Sequence, residues 1–594
     1  MSATLSCRVF ASVVLAAMEA SAAAPMEAHV PPQDRRAFYG ELHLHTAYSF
    51  DAYVTGAASI GPDEAYRFAR GEVVTVNGVS HRRTTAPLDF LAVTDHAEWM
   101  NAPERWQSSE GPAFLNEVYR RFSSALHESV QAYRQLGWPS SPQLPTGADM
   151  EAVTRSAWQH QVAAASRHYR PGEFTTLVGF EWTSQALVAD RVLSLHRNVI
   201  FSGSNPPLPF SSIDSDRPEA LWKFLDQCRS QGEDVLSIAG HPHRSEGKMF
   251  DGTDSDGRPI DAAHAEARAA NERLFEITQS SGDSDADPEL SPDDEFAGFD
   301  RRVHPKEAWT SPKPQPGGFA RYALSEGMRI AQSSVGINPY RFGFVGSSDY
   351  HNGLSDSAES VDSRMSSGGL TGVWAETNTR EAVFAALRRR ETFATSGTRL
   401  QLRFFGGWDY ERSLLSKRSW LQKAYRDGVS MGSDLPARPN RRRAPTFIAQ
   451  AHRDPNGANL DRLQIVKVWL ENDRHAERIY DIALSDGRKI EKSTGRAPAV
   501  GNTVNLSTAT YTNTIGAPML EATWRDPDFD PAKPAAYYLR VLEIPTPRMS
   551  TFSAHRKNAP LPSDWPATLQ ERGWASPIWY TPAASVSKTG VADR

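Results

Sequence analysis

Cysteine is almost missing: Cys7 and Cys228 are the only two in 594 residues, which excludes a disulfide framework and a cysteine zinc site. Any bound metal has to be held by His, Asp and Glu. Long apolar runs are absent as well, and beyond the first two dozen residues no stretch of about eighteen apolar residues offers a membrane span. Positive charge shows no excess, since 65 Lys and Arg stand against 71 Asp and Glu and leave a formal charge of -6. Such a chain carries no electrostatic footprint for a nucleic-acid backbone. Gly179-Phe-Glu-Trp-Thr-Ser184 lacks the spacing of a Gly-x-Ser-x-Gly elbow, no convincing elbow stands elsewhere, and there is no repeat of fixed period. What remains is 39% hydrophobic and 23% charged, the range of a folded globular protein. The length calls for at least two packed units. These exclusions leave small-molecule chemistry as the direction to follow.

Arg8, the apolar run Val9 to Met18 and the small residues Ala20 to Ala24 before Pro25 follow the order of a secretory signal peptide. The expectation is a signal over 1–23 and a periplasmic or secreted mature protein, from which Cys7 has been removed. From 24 to 398 short apolar runs end in polar residues, as alternating β/α units do. The runs are Leu88 to Thr94, Thr175 to Phe180, Val235 to Ala239, Leu274 to Thr278 and Arg341 to Gly346. In parallel folds the site lies at the carboxyl ends of the strands, so their polar followers share one mouth. A helical insertion is predicted over about 98–172, and long loops over Asp251 to Lys313. After Thr398 the pattern alternates, which predicts a separate antiparallel β-rich domain over 399–594, with a hairpin signal at Asp486-Gly487.

The chemistry gathers at the ends of those runs. His43 and His45, in Glu41-Leu-His-Leu-His-Thr46, alternate along an extended segment, so both rings project from one face about 6 to 7 Å apart. Alone, a His-x-His is weak. It has company in Asp51, in Thr94-Asp95-His96, in Glu181, in His196, in His241-Pro242-His243 and in Asp349-Tyr-His351. Seven of the 17 His stand in these few motifs, four of which end predicted strands. Imidazole and carboxylate without thiolate suit Zn, Mn or Fe. Asp95 fits best as an acceptor that orients an imidazole, although a catalytic role also remains open to it. Arg244 and Lys248, just past the His pair, could hold an anionic substrate group, or face solvent.

The order His-x-His, Thr-Asp-His, Glu, His, His-Pro and Asp-x-His resembles the metal-binding series of the PHP (polymerase and histidinol phosphatase) superfamily, a distorted (β/α)7 barrel. The chain is more closely similar to a secreted bacterial branch of it, known only as a domain of unknown function. Gly-Glu-Leu-His-x-His, Val-Thr-Asp-His, Gly-Phe-Glu-Trp, His-Arg-Asn-Val and Gly-Ser-Ser-Asp-x-His carry that likeness, with later phrases at Thr395 to Arg399, Ser485 to Arg488, Asp526 to Pro531, Leu542 to Arg548 and Ser576 to Tyr580. The resemblance implies three metal positions: one on His43, His45, Glu181 and Asp349; one on a bridging Glu181 with His196 and either His241 or His243, with a lean to His243; and one on Asp51, His96 and His351. Asp51 stands where several relatives carry histidine.

Two or three such ions would activate water for hydrolysis without an organic cofactor. The resemblance implies a metal-dependent hydrolase with Glu181 and Asp349 central, acting on a small anionic phosphate ester. A carboxylic ester, lactone or amide hydrolase with the same site is the enzymatic alternative. A non-catalytic binding protein on a retained scaffold is the other class, distinguished by its freedom to lose ligands that this chain keeps.

Overall fold

The protein is described by a computed structural model covering residues 30–582 apart from 50–51, 53–59, 77, 99, 102–147, 189–190, 301–312, 356–367, 440–442, 492, 494–495 and 564. The signal segment, Cys7, Asp51 and the part of the insertion between 102 and 147 lie outside the described residues.

One mixed sheet organises the chain. Its first part consists of β1 (Arg36–Glu41), β2 (Phe90–Val93), β3 (Thr175–Trp182), β4 (Arg197–Phe201), β5 (Val235–Ala239), β6 (Glu272–Gln279), β7 (Gly343–Gly346), β8 (Leu370–Ala375) and β9 (Thr392–Thr395). β1, β2 and β3 run parallel, as do β5, β6 and β7. β4 lies antiparallel between β3 and β5. That reversal matters, because Trp182 pairs with Arg197, so the start of β4 meets the end of β3 and His196 arrives at the shared mouth. Between β3 and β4 the chains approach closely, and a Cβ on Gly179 would lie 2.7 Å from the Val199 carbonyl oxygen.

These strands are near-continuous apolar runs buried on both faces, as every residue of β3 is. Phe38, Phe90, Leu177, Ile200, Ile238, Leu274, Val345 and Val373 from successive strands join one cluster with Phe384 of the helix Arg380–Arg389. The sheet therefore curls around a common core. No strand ladder among the described residues joins β7 to β8; the Gly346 N–H donates instead to the Thr371 hydroxyl at 3.2 Å. The (β/α)7 expectation is met in its coarser form, a large mixed sheet with helices packed on it.

Two further expectations change. Asp251 to Lys313 is not all loop: Asp261 caps a helix over Ala262–Asn271 that leads into β6, its carboxylate accepting the His264 N–H. Part of the β-rich region extends the large sheet, since β9 pairs with β16 (Arg572–Ala575) through Phe393 and Ala575. The sheet then continues through β15 (Ala535–Glu543), β12 (Leu460–Glu471) and β13 (Arg474–Leu484). A distinct antiparallel sheet is formed by β10 (Gln401–Gly407), β11 (Thr446–His452), β14 (Met519–Arg525) and Gly428–Ser430. The tight hairpin in this region is not at Asp486-Gly487. It joins β12 to β13 at Asn472-Asp473, whose φ values of 52° and 60° match the left-handed turn that strand twist favours.

Candidate metal centre

Backbone pairing brings the motifs together. The Asp349 N–H donates to the His43 carbonyl and the His45 N–H to the Tyr350 carbonyl, both at 3.0 Å, so the His-x-His segment runs beside the segment after β7. On the other side the Glu181 N–H donates to the Asp95 carbonyl at 3.0 Å and the Ala97 N–H to the Glu181 carbonyl at 2.9 Å. Two of the residues brought in, His241 and Asp349, have φ of 31° and 54°, a left-handed backbone that costs a non-glycine residue energy and clusters at functional sites.

Glu181 lies at the middle, fully buried. Its Oε1 is 3.2 Å from His43 Nε2, 3.0 Å from His196 Nδ1 and 3.7 Å from His241 Nε2. Its Oε2 is 2.9 Å from His96 Nδ1 and 3.6 Å from His45 Nε2. Asp349 Oδ1 faces the same rings, 3.2 Å from His43 Nε2, 3.1 Å from His45 Nε2 and 3.7 Å from His351 Nδ1. Three groups have ligand atoms close enough to hold an ion: His43 with His45 and Asp349, His43 with Glu181 and His241, and His45 with His96 and His351.

Electrostatics follow from this crowding. Burial works upward on Glu181, but His196, His43 and His96 outweigh it and hold the carboxyl well below its ordinary range. Asp349 is treated alike, burial being overcome by His43 and His351. Burial depresses His45, with His351 and His96 adding repulsion, so its pKa falls to about 3. Burial lowers His241 to about 3, and His196 and Arg244 push in the same direction. For His43, burial is outweighed by Asp349, Glu276 and Glu181, and the ring is raised well above its usual value. His45 Nε2, His43 Nε2 and Glu181 Oε2 are buried without a hydrogen-bond partner while facing one another. Orphaned lone pairs of this kind are costly unless something satisfies them. The donor set of imidazole nitrogens and carboxylate oxygens fits divalent transition-metal ions.

A ring of partners fixes the donors. Glu276 Oε1 lies 3.0 Å from His43 Nδ1, and its Oε2 accepts the His241 N–H at 2.8 Å. His45 Nδ1 meets the Ser49 hydroxyl at 2.9 Å, and that hydroxyl donates to Asp95 at 2.8 Å. Asp95 also accepts the Thr46 N–H at 2.6 Å and the Thr46 hydroxyl at 2.7 Å. It is thus a positioning residue for the His45 segment, reached through Ser49, and touches no ring directly among these bonds. Gln279 donates to Asp349 Oδ2 at 3.3 Å. Such bonds select the tautomer that turns the other nitrogen inward.

Of the residues expected here, His43, His45, His96, Glu181, His196, His241, Asp349 and His351 converge. The lean to His243 is reversed: its Nδ1 and Nε2 lie 2.8 and 2.9 Å from the hydroxyls of Ser284 and Ser281, because the left-handed turn at His241 swings that ring inward and the next His away. Lys248 is half-exposed and paired with Asp251 at 2.8 Å, which makes it a surface ion pair; Arg244 is half-buried beside His241. Sequence reasoning missed Glu276, Ser49 and Gln279. Only Glu276 had a legible signal, a lone acid inside the apolar run Leu274 to Thr278.

The model of a family described as a protein of unknown function, DUF3604, matches residues 32–363 and 357–582. The chain belongs to that family. No curated protein matches this DUF3604 chain. Among solved structures it is similar to a two-domain protein from Bacteroides vulgatus containing a predicted PHP-like metal-dependent phosphoesterase. Identity is 13% over 83% of this chain and 96% of that one, with a TM-score of 0.29.

Proposed function

We propose that this DUF3604 protein is an exported metal-dependent hydrolase of the PHP kind, acting on an anionic phosphoric ester. The observation that carries the reading is Glu181, a buried carboxylate with five imidazoles within 3.7 Å of its two oxygens. Two to three Zn, Mn or Fe ions would be held by the His43, His45, Asp349, Glu181, His241, His96 and His351 groups, with His196 at the edge. When bound, such ions polarise a phosphoryl oxygen and make water nucleophilic near neutral pH. The chain's own contribution is orientation: Glu276 and the Ser49–Asp95 pair lock the rings before substrate enters, so little reorganisation remains. Arg244, beside His241, is the cation placed to receive an anionic group. Export rests on the order of charge, apolar run and small residues over 1–23, and no helix among the described residues is long and apolar enough to cross a membrane.

Metal analysis of the purified protein, followed by phosphomonoesters, diesters, triesters and carboxylic esters with and without chelator, tests the reading. Bound transition metal and chelator-sensitive phosphoester cleavage are expected. Metal-free protein after reconstitution, or turnover indifferent to chelator, would overturn it, and turnover of carboxylic esters alone would move the substrate class.

A further inference from the structure

Between β3 and β4 two short strands, Gln185–Val188 and Arg191–Ser194, pair antiparallel, with Gln185 opposite Ser194. They are inserted where β3 ends and β4 begins, so the chain leaves the mouth at Trp182 and returns to it at His196. The Leu195 N–H closes their base by donating to the Ser184 carbonyl at 2.9 Å, and the returning strand lies beside the turn Pro242–Arg244 that follows His241. At this base Gln185 faces His196. Its amide nitrogen is 3.3 Å from His196 Nε2, while His196 Nδ1 is 3.0 Å from Glu181 Oε1 and the ring stands edge-on to His241 with centroids 4.8 Å apart. The other end of the Gln185 amide, its oxygen, is buried with no hydrogen-bond partner among the described residues. A buried acceptor left unmet costs free energy.

A neutral imidazole has one N–H and one lone pair. For His196 to turn its lone pair toward an ion beside Glu181, Nδ1 must be bare and Nε2 must carry the proton, and that proton needs an acceptor. Among the described residues Gln185 is the group that meets Nε2. An amide donates at one end and accepts at the other, and the two ends have nearly the same shape. A half-turn about its last bond therefore brings the oxygen onto the Nε2 proton without moving the chain. We propose that Gln185 is the positioning residue that selects His196 as an Nδ1 ligand of the ion shared with Glu181 and His241, and that the hairpin is the strut that holds it there. His43 leans on the carboxylate of Glu276, a charged acceptor that strengthens its ring as a donor. His196 leans on a neutral amide, so its ion is the more easily lost. The inference rests on the reading of the His-rich centre as a metal site and not on the choice of substrate.

The test is titration of the full chain with cobalt(II), read by visible absorption and by competition with a chromogenic chelator. Gln185→Met should weaken the binding of one ion about 10- to 100-fold and leave the rest of the bound metal unchanged. Gln185→Glu keeps the acceptor, and should restore that ion to at least its affinity in the unmodified protein. Adding Gln185→Met to His196→Ala should cost nothing more, because the two side chains act as a unit. Should the Met variant fail to fold, Gln185→Asn, which withdraws the amide by one methylene, carries the same expectation. Equal affinities in the unmodified, Met and Asn proteins, or a loss that persists in full on the His196→Ala background, would overturn the proposal and leave the metal centre standing. An unmodified chain that binds no cobalt would overturn the centre itself, and this inference with it.

Discussion

Glu276 shows how one side chain can serve two ligands. One carboxylate oxygen holds the His43 ring and the other holds the backbone of His241, so its loss loosens both donors at once. Glu276→Ala should weaken metal binding about 10- to 100-fold, read by competition with a chromogenic chelator. Glu276→Gln should recover part of that loss, because its one acceptor oxygen can satisfy only one of the two donors. Equal affinities for unmodified and Ala proteins would remove the positioning role. Cys228 offers the opposite case: it is buried, and burial pushes its thiol up to about 11, which disfavours the thiolate that a nucleophile needs. Cys228→Ser should leave kcat/KM unchanged, and abolition of turnover in a folded variant would reopen covalent catalysis.

At the scale of elements, β6 and the helix before it carry a charge-paired joint. Glu272, at the start of β6, accepts from Arg197 at 2.8 Å, from Arg268 at 3.0 Å and from the Trp222 indole at 3.1 Å. Burial acts upward on its carboxyl, but Arg197 and Arg268 outweigh it and bring the pKa down to about 2 from 4.5. A depressed folded-state pKa means the stabilisation is complete above the unfolded value and disappears as pH falls from about 4.5 toward 2; its size is on the order of 3 kcal/mol. Glu272→Gln should therefore unfold at lower temperature at neutral pH, and the gap between the two proteins should narrow as pH falls through that window. A gap independent of pH would show that the carboxylate's charge is not what stabilises the joint.

At the scale of the molecule, the two halves of the sheet are joined by a buried ion network. Arg540 of β15 is completely buried and donates to Asp294 at 2.7 Å twice and to Asp285 at 3.3 Å. Arg321, from the helix Ala320–Gln332, binds the same two acids at 3.0 and 2.6 Å. Asp285 belongs to an acidic stretch that as sequence reads as plain loop; its real setting is the seam. Removing one partner leaves a buried charge uncompensated, so Arg540→Met should cost about 3–5 kcal/mol. Calorimetry should show the loss in one cooperative transition shared by both halves, and two separated transitions in the unmodified protein would refute the joint.

Much of this protein was decided locally. The strands at Val235–Ala239 and Thr175–Trp182, and the recurrence of His, Asp and Glu just past such runs, follow from apolar patterning and from the rule that parallel strands present their carboxyl ends together. Periodicity is a property of neighbours, so it can be read without the fold. What tertiary structure alone decided depends on contacts between distant residues: the left-handed turn that chose His241 over His243, the capture of Glu276 by His43, the burial of Asp285 against Arg540, and the joining of β9 to β16 into one sheet. None of these leaves a periodic trace, because each is set by which strand lies beside which, and that is settled only when the chain packs.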